Sequence, residues 1–160
     1  MKDNIIIYTD GGCRGNPGPG AWASILISEK YNLRLEIGES EEMTTNNKME
    51  MKAVIKALER LKNSHNIKVY SDSAYLVNGM NGWIYTWQKN NWIKSDKKPV
   101  ENKEYWLKLI GLSKKHNIEF IKVKGHSDNK ENNRADEIVN ILMDEHENTG
   151  NIASFYNKIN

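Results

Sequence analysis

The sequence predicts an α/β protein, a mixed sheet with helices packed on it, and three observations lead there. Ile5-Ile6-Ile7-Tyr8-Thr9-Asp10 is apolar on both alternating faces, as a buried central strand requires, and it ends in an acid. Three strand-like runs precede the first long helical pattern, after which helix and strand alternate. The 160 residues suit one domain. A chain of this size buries roughly two-thirds of its unfolded surface, enough for a proper core.

Ala21 to Ser28 and Asn32 to Gly38 supply the second and third strands, joined through Glu29-Lys30-Tyr31 as a hairpin. The Gly/Pro cluster from Gly11 to Gly20 lies between two strands and reads as a turn, not a domain boundary. Met49, Ala53, Val54, Ala57, Leu58 and Leu61 recur at helical spacing, which predicts an amphipathic helix over Thr45 to Lys62. Asn66 to Ser71 is a short strand followed by a second acid, Asp72. Tyr75, Leu76 and Met80 suggest a short helix closed at Gly79 or Gly82, and the pattern leaves Trp83 to Trp92 unassigned. A helix carrying Tyr105, Leu109 and Leu112 follows Pro99, Ile118 to Val123 is a strand, and Ala135, Ile138, Val139 and Leu142 mark a final helix. From about Glu147 the chain turns polar, so the expectation is a domain over 1–146 and a fraying tail over 147–160.

Composition narrows the class of protein without naming a partner. Lys+Arg 23 against Asp+Glu 21 gives a formal net charge of +2, too small a bias to imply nucleic acid. A lone cysteine, Cys13, excludes an internal disulfide framework and a Cys-rich zinc site. No apolar run approaches the ~18 residues of a membrane span. Met1-Lys2-Asp3-Asn4 does not open a signal peptide, and the expectation is a soluble, cytoplasmic protein. One segment stands apart. Between Trp83 and Lys103, five lysines face Asp96 and Glu101, a local charge of +3 that leaves −1 for the rest. Lysines interleaved with Trp83, Trp87 and Trp92 fit a surface that tracks a nucleic-acid backbone, and equally a packed Trp cluster with solvated lysines.

Four acids carry the candidate chemistry: Asp10 and Asp72 at strand ends, Glu50 on the first long helix, and Asp136 at the opening of the last. Each has an ordinary reading. Asp10 starts a turn, Glu50 completes a capping box with Asn47 as cap, Asp72 caps the helix at Ser73, and Asp136 complements a helix dipole. Taken together they read differently. In α/β sheets ligands gather at the carboxyl ends of strands. Carboxylates ~5 Å apart repel by about 3 kcal/mol per pair at an effective dielectric near 20. Two Mg²⁺ ions would neutralise the four, and such a pair is suited to in-line displacement at phosphorus.

The motifs around these acids resemble the four signatures of type 1 ribonuclease H. Asp10 to Ala21 (DGGCRGNPGPGA) resembles the first and Thr44 to Met51 (TTNNKMEM) the second. Ser71-Asp72-Ser73 with Tyr75 resembles the third, and Val123-Lys124-Gly125-His126 with Glu131, Asn132, Arg134 and Asp136 the fourth. The likeness runs in order from Ile5 to Leu142 and is greatest to the compact bacterial form, with no hybrid-binding domain ahead of the first strand. It implies a five-stranded mixed sheet flanked by helices, and endonucleolytic hydrolysis of the RNA strand of an RNA–DNA hybrid to 5′-phosphate and 3′-hydroxyl ends. It implies Asp10, Glu50, Asp72 and Asp136 as catalytic ligands of two Mg²⁺ ions, with Mn²⁺ as a substitute, and His126 as the group assisting proton transfer or product departure. Cys13, Asn16, Asn46 and Asn47 would contact the hybrid in its minor groove, Thr45 would hold a phosphate of the DNA strand, and Trp83, Lys97 and Lys98 would belong to a basic protrusion gripping that strand. The implied partner is the hybrid duplex, with no membrane, and the protein a monomer.

The residues support parts of this independently. His126 follows Gly125 and precedes a polar run, which places it on a loop, and an unperturbed pKa near 6.5 suits proton exchange. His65, His116 and His146 lack such a context and read as ordinary surface histidines. Asn both donates to and accepts from a 2′-hydroxyl, the group that separates RNA from DNA. Gln88, Asn90 and Asn91 stand where relatives often carry Lys or Arg, which predicts a weaker, less salt-dependent grip. Ala74 replaces a common Gln beside Asp72, and Ser127-Asp128-Asn129-Lys130 departs from the usual loop. Two other readings remain open on the residues: a DNA nuclease of the same broad fold, and a hybrid-binding module without activity. The asparagines argue against the first and the four intact acids against the second.

Overall fold

The computed structural model describes residues 3–125 and 129–160. β1 (Asp3–Cys13), β2 (Gly18–Ser28) and β3 (Leu33–Thr44) form an antiparallel meander. β4 (His65–Ser71) and β5 (Asn117–Lys122) extend it in parallel on the other side of β1. The sheet order is β5-β4-β1-β2-β3-β6, so β1 sits inside the sheet with a partner on each edge. That position explains why its side chains are apolar in both directions.

Two cores cover the two faces of the sheet. Trp22 and Leu26 of β2 join Ile5, Ile7, Met49, Val54 and Leu58 beneath α1 (Asn46–Glu59), α2 (Ala74–Asn78) and a helix over Lys103–Ser113. Ala21, Ala23 and Ile25, one residue out of phase, pack on the far face with Ala135, Ile138 and Leu142 of the last helix, over Lys130–Thr149. Period-two alternation in a single strand thus feeds both cores.

Gly79 is the C-cap of α2, but the chain does not leave the helical path there or at Gly82. It runs through a π turn over Gly79–Trp83, where the Ile84 N–H reaches the Gly79 carbonyl, and continues as α3 (Ile84–Lys89). A Cβ at Gly79 would lie 2.1 Å from the ring of Trp106, which is fully buried, so only glycine lets the turn seat on that indole. Counting α3, the Lys103–Ser113 helix is α4 and the Lys130–Thr149 helix is α5.

The sheet has six strands, not five, because the expected frayed tail contains β6 (Ser154–Ile159), which pairs antiparallel with β3 from Arg34↔Ile159 to Glu39↔Ser154. Its anchoring explains why a polar segment orders. Ser40 donates its N–H to the Ala153 carbonyl at 2.8 Å and accepts the Ala153 N–H on Oγ at 2.7 Å. The same hydroxyl meets His146 Nδ1 at 2.8 Å. His146 is therefore a buried histidine, and so is His116, whose Nδ1 accepts from the His65 N–H at 3.1 Å. Neither matches the surface histidine predicted for it.

Gly11 brings α1 against β1. A Cβ there would lie 2.4 Å from the carbonyl carbon of Met49 and 2.5 Å from the Glu50 nitrogen, both main-chain atoms that cannot rotate away. Gly11→Ala should therefore lower stability by about 2 kcal/mol through overpacking. Urea unfolding will show this as a lower midpoint at an unchanged slope.

Candidate active site

β1 delivers Asp10 from within the strand, paired with Ala23, so it does not begin a turn. α1 delivers Glu50 one residue beyond the Gly11 contact. Thr45, not Asn47, caps that helix, its Oγ1 accepting from the Lys48 N–H at 3.2 Å. Asp72 follows β4, and Ser73 caps α2 in its place by accepting from the Leu76 N–H at 3.1 Å. Asp136 lies in the second turn of α5, whose cap is Asn129, rather than at the helix opening. The capping and dipole readings of the four acids thus all give way, and each carboxylate is left to the cleft.

Carboxylate oxygens of Asp10, Glu50 and Asp72 all lie within 4.8 Å of one another. Asp136 lines the same cleft, near enough to raise the pKa of Asp10. Asp10 and Glu50 are 9% and 7% exposed, whereas Asp72 and Asp136 face solvent. Burial, then the charges of Asp72 and Asp136, push the Asp10 carboxyl up to about 8. Burial, then Asp10 and Asp72, hold Glu50 well above the ordinary range. Glu50 Oε1 is buried and has no hydrogen-bond partner among the described residues. An orphaned buried oxygen beside two further carboxylates is a poor resting state for a bare protein and a good fit to a hard divalent cation.

The cleft has two walls. On one, Cys13, Asn46 and Asn47 line it; on the other, Val139, Asn140 and Met143 of α5. Asn46 Oδ1 accepts from the Cys13 N–H at 2.8 Å, and Asn16 Oδ1 accepts from the Asn46 N–H at 3.2 Å and from the Cys13 thiol at 3.5 Å. These bonds tie the β1–β2 hairpin to the start of α1. Arg14 bridges the walls, reaching Asp144 at 2.7 Å and Glu147 at 2.9 Å on α5. The sequence reading passed over Arg14 because its partners lie far along the chain.

The basic segment forms a separate surface. Trp83, Trp87, Lys89, Lys94 and Lys97 line a shallow depression sharing no residue with the acidic cleft, and Lys98 is exposed beside it. Tyr75, Trp83, Trp87, Trp92 and Trp106 form a chain of ring contacts with centroids 5.2–5.9 Å apart. Trp106 and Trp92 are core, as a packed Trp cluster requires, while Trp83 remains 40% exposed. His126 lies outside the described residues.

Acids gathered at the strand ends of a mixed sheet, beside a polar wall, suit a site that holds divalent cations for hydrolysis at a phosphate. A model of the RNase H family matches residues 2–142, and the chain belongs to that family. The ribonuclease H of Caldanaerobacter subterraneus subsp. tengcongensis is 53% identical over 150 residues, covering 91% of this chain and 97% of its own. That of Chlorobaculum parvum is 51% identical over 146 residues, covering 91% and 99%. Among solved structures, LC11-RNase H1 in complex with an RNA/DNA hybrid superposes at a TM-score of 0.67 and 32% identity, over 89% of this chain and 99% of that one. LC9-RNase H1 superposes at 0.82 with 23% identity over 97% of this chain and 79% of that one, a likeness of fold.

The buried acids set a pH dependence whose sign is fixed. Asp10 keeps its proton in the folded chain up to about 8, whereas an unfolded Asp releases it near ~3.9. The metal-free fold therefore loses stability as pH rises between those values, since the folded state binds more protons there. Asp10→Asn removes that loss. Melts in chelator should show the parent weakening toward pH ~8 while the variant declines less and melts higher there.

Proposed function

We propose that this ribonuclease H cleaves the RNA strand of RNA–DNA hybrids internally, leaving 5′-phosphate and 3′-hydroxyl ends. The observation that carries the reading is the convergence of Asp10, Glu50 and Asp72 on one point, beside a wall built from asparagines. In this reading Asp10, Glu50, Asp72 and Asp136 hold two Mg²⁺ ions, replaceable by Mn²⁺. Bound there, the ions supply positive charge against the scissile phosphate and a water acidified for in-line attack.

The chain's own groups do the rest. The side-chain carbonyls of Asn16 and Asn46 are taken by the hairpin, and their Nδ2 groups have no partner among the described residues. They are left as donors to 2′-hydroxyls and base edges in the minor groove, which single-strand and DNA substrates do not present in this form. Asn47 and Cys13 complete that wall. Thr45 Oγ1 already accepts from Lys48, so its hydroxyl proton is free to donate to a phosphate of the DNA strand. Trp83, Lys97 and Lys98 grip that strand further along, weakly in salt terms because Gln88, Asn90 and Asn91 carry no charge. His126 transfers a proton at the leaving oxygen. Among the described residues no helix is long and apolar enough to cross a membrane. A monomer working in the cytoplasm fits a chain whose one cysteine, Cys13, is a free thiol.

Labelled hybrid, single-stranded RNA, duplex RNA and duplex DNA, incubated with and without Mg²⁺, test the reading together. Cleavage confined to the RNA of the hybrid is expected; cut DNA, or intact hybrid, contradicts it. Asp72→Asn should slow cleavage by about 10³-fold or more while hybrid binding persists. His126→Ala should slow it by about 10²-fold or less at unchanged affinity for uncleavable hybrid.

A further inference from the structure

Glu36 is a charged residue in the middle of β3, only 2% exposed and remote in sequence from the four acids. Its carboxylate is saturated. Arg134 forks onto both oxygens, Nε to Oε2 at 3.0 Å and Nη2 to Oε1 at 3.1 Å. Arg34 Nη2 donates to Oε2 at 3.0 Å, and Asn157 Nδ2 of β6 donates to Oε1 at 3.0 Å. Burial alone would raise this carboxyl, yet the donors from Arg134, Asn157 and Arg34 hold it down at about 2. Arg34 also forks onto Glu131 at 2.5 and 2.7 Å, and the Arg134 guanidinium lies over the Phe155 ring of β6 at 5.6 Å.

Glu131 and Arg134, three apart, share the face of α5 turned to β3. Asn132 and Asp136, four apart, share the face turned to the cleft, where Asn132 Nδ2 donates to the Tyr70 carbonyl at 3.3 Å and the Thr9 carbonyl at 3.5 Å. Fixing the first face fixes the rotation of the helix, and with it the direction of the second, since each residue advances about 100° around the axis. A hydrophobic set of the same volume would hold the layers together at least as well, so stability is a weak reason for burying these charges.

We infer that Glu36, acting through Arg134, is a positioning residue that aims Asp136 into the cleft, and that β6 belongs to the same support through Asn157. The inference rests on Asp136 being a metal-holding carboxylate. Groups that orient a ligand are worth 10- to 100-fold in metal affinity, and a support acting through a helix falls near about 10-fold.

The test uses the full chain with Glu36→Gln, Arg134→Lys, Asn157→Ala and, as reference, Asp136→Asn. Two quantities are read on each: the Mg²⁺-induced rise in melting temperature without substrate, and the Mg²⁺ concentration giving half-maximal cleavage of hybrid. Glu36→Gln and Arg134→Lys should shrink the first and raise the second by about 10-fold. Asn157→Ala should do so by less, and affinity for hybrid in Ca²⁺ should stay level. Lower melting temperatures with an unchanged metal requirement mean that the network only stabilises, which overturns the inference. If Glu36→Gln does not fold, Arg134→Lys and Asn157→Ala decide by the same criterion. A shift in Asp136→Asn alone refutes the positioning role, whereas no shift even there refutes the assignment of Asp136 and the inference with it.

Discussion

Gly11 is where the backbone of α1 touches the backbone of β1, and much of the active site depends on that contact. With no Cβ between them, Glu50 is pressed against Asp10 inside a layer that excludes water. Asp72 arrives from the neighbouring parallel strand. Three oxygen-only side chains are then held closer than their charges favour, and burial lifts two of them above the ordinary carboxylate range. The strain is local and compensated elsewhere by two apolar cores. A protein that assembles such a cluster has built a place for cations and has surrendered some stability in their absence.

Charge is distributed with the same economy. The acids occupy the cleft, and the lysines of residues 83–103 stand on a separate surface where they cannot neutralise the acids. A continuous chain of tilted ring contacts runs from the buried Trp106 through Trp87 to the exposed Trp83, so the basic surface is mounted on the core. The π turn that seats on Trp106 is part of that mounting, and Gly79 is the reason it fits.

Periodicity made the strands and long helices legible, because burial on one or both faces leaves a direct imprint on residue choice. The order of those elements was enough for the mixed sheet, and the motifs for the family. β6 was illegible because an edge strand buries little: only Phe155 and Asn157 face partly inward, and its anchor, through Ser40 to Ala153 and His146, joins residues more than a hundred positions apart. The buried histidines were missed for the same reason. The capping readings failed because the hydroxyls of Thr45, two positions before Asn47, and of Ser73, one position after Asp72, take the cap hydrogen bonds. In the site, residue types announced the acids and the asparagines, while Arg14 and Glu36 showed no local signal because most of their partners lie far along the chain, on α5 and β6.

The strand order carries a consequence for how the molecule comes into being. Asp10 and Glu50 leave the ribosome well before α5 and β6, and both of these later elements must dock onto strands that have already emerged. Until they arrive, β3 has an open edge, one face of the sheet is wet, and Glu36 has no Arg134 to meet. A chain that has emerged only as far as β5 thus holds one wall of the cleft without the wall that α5 supplies.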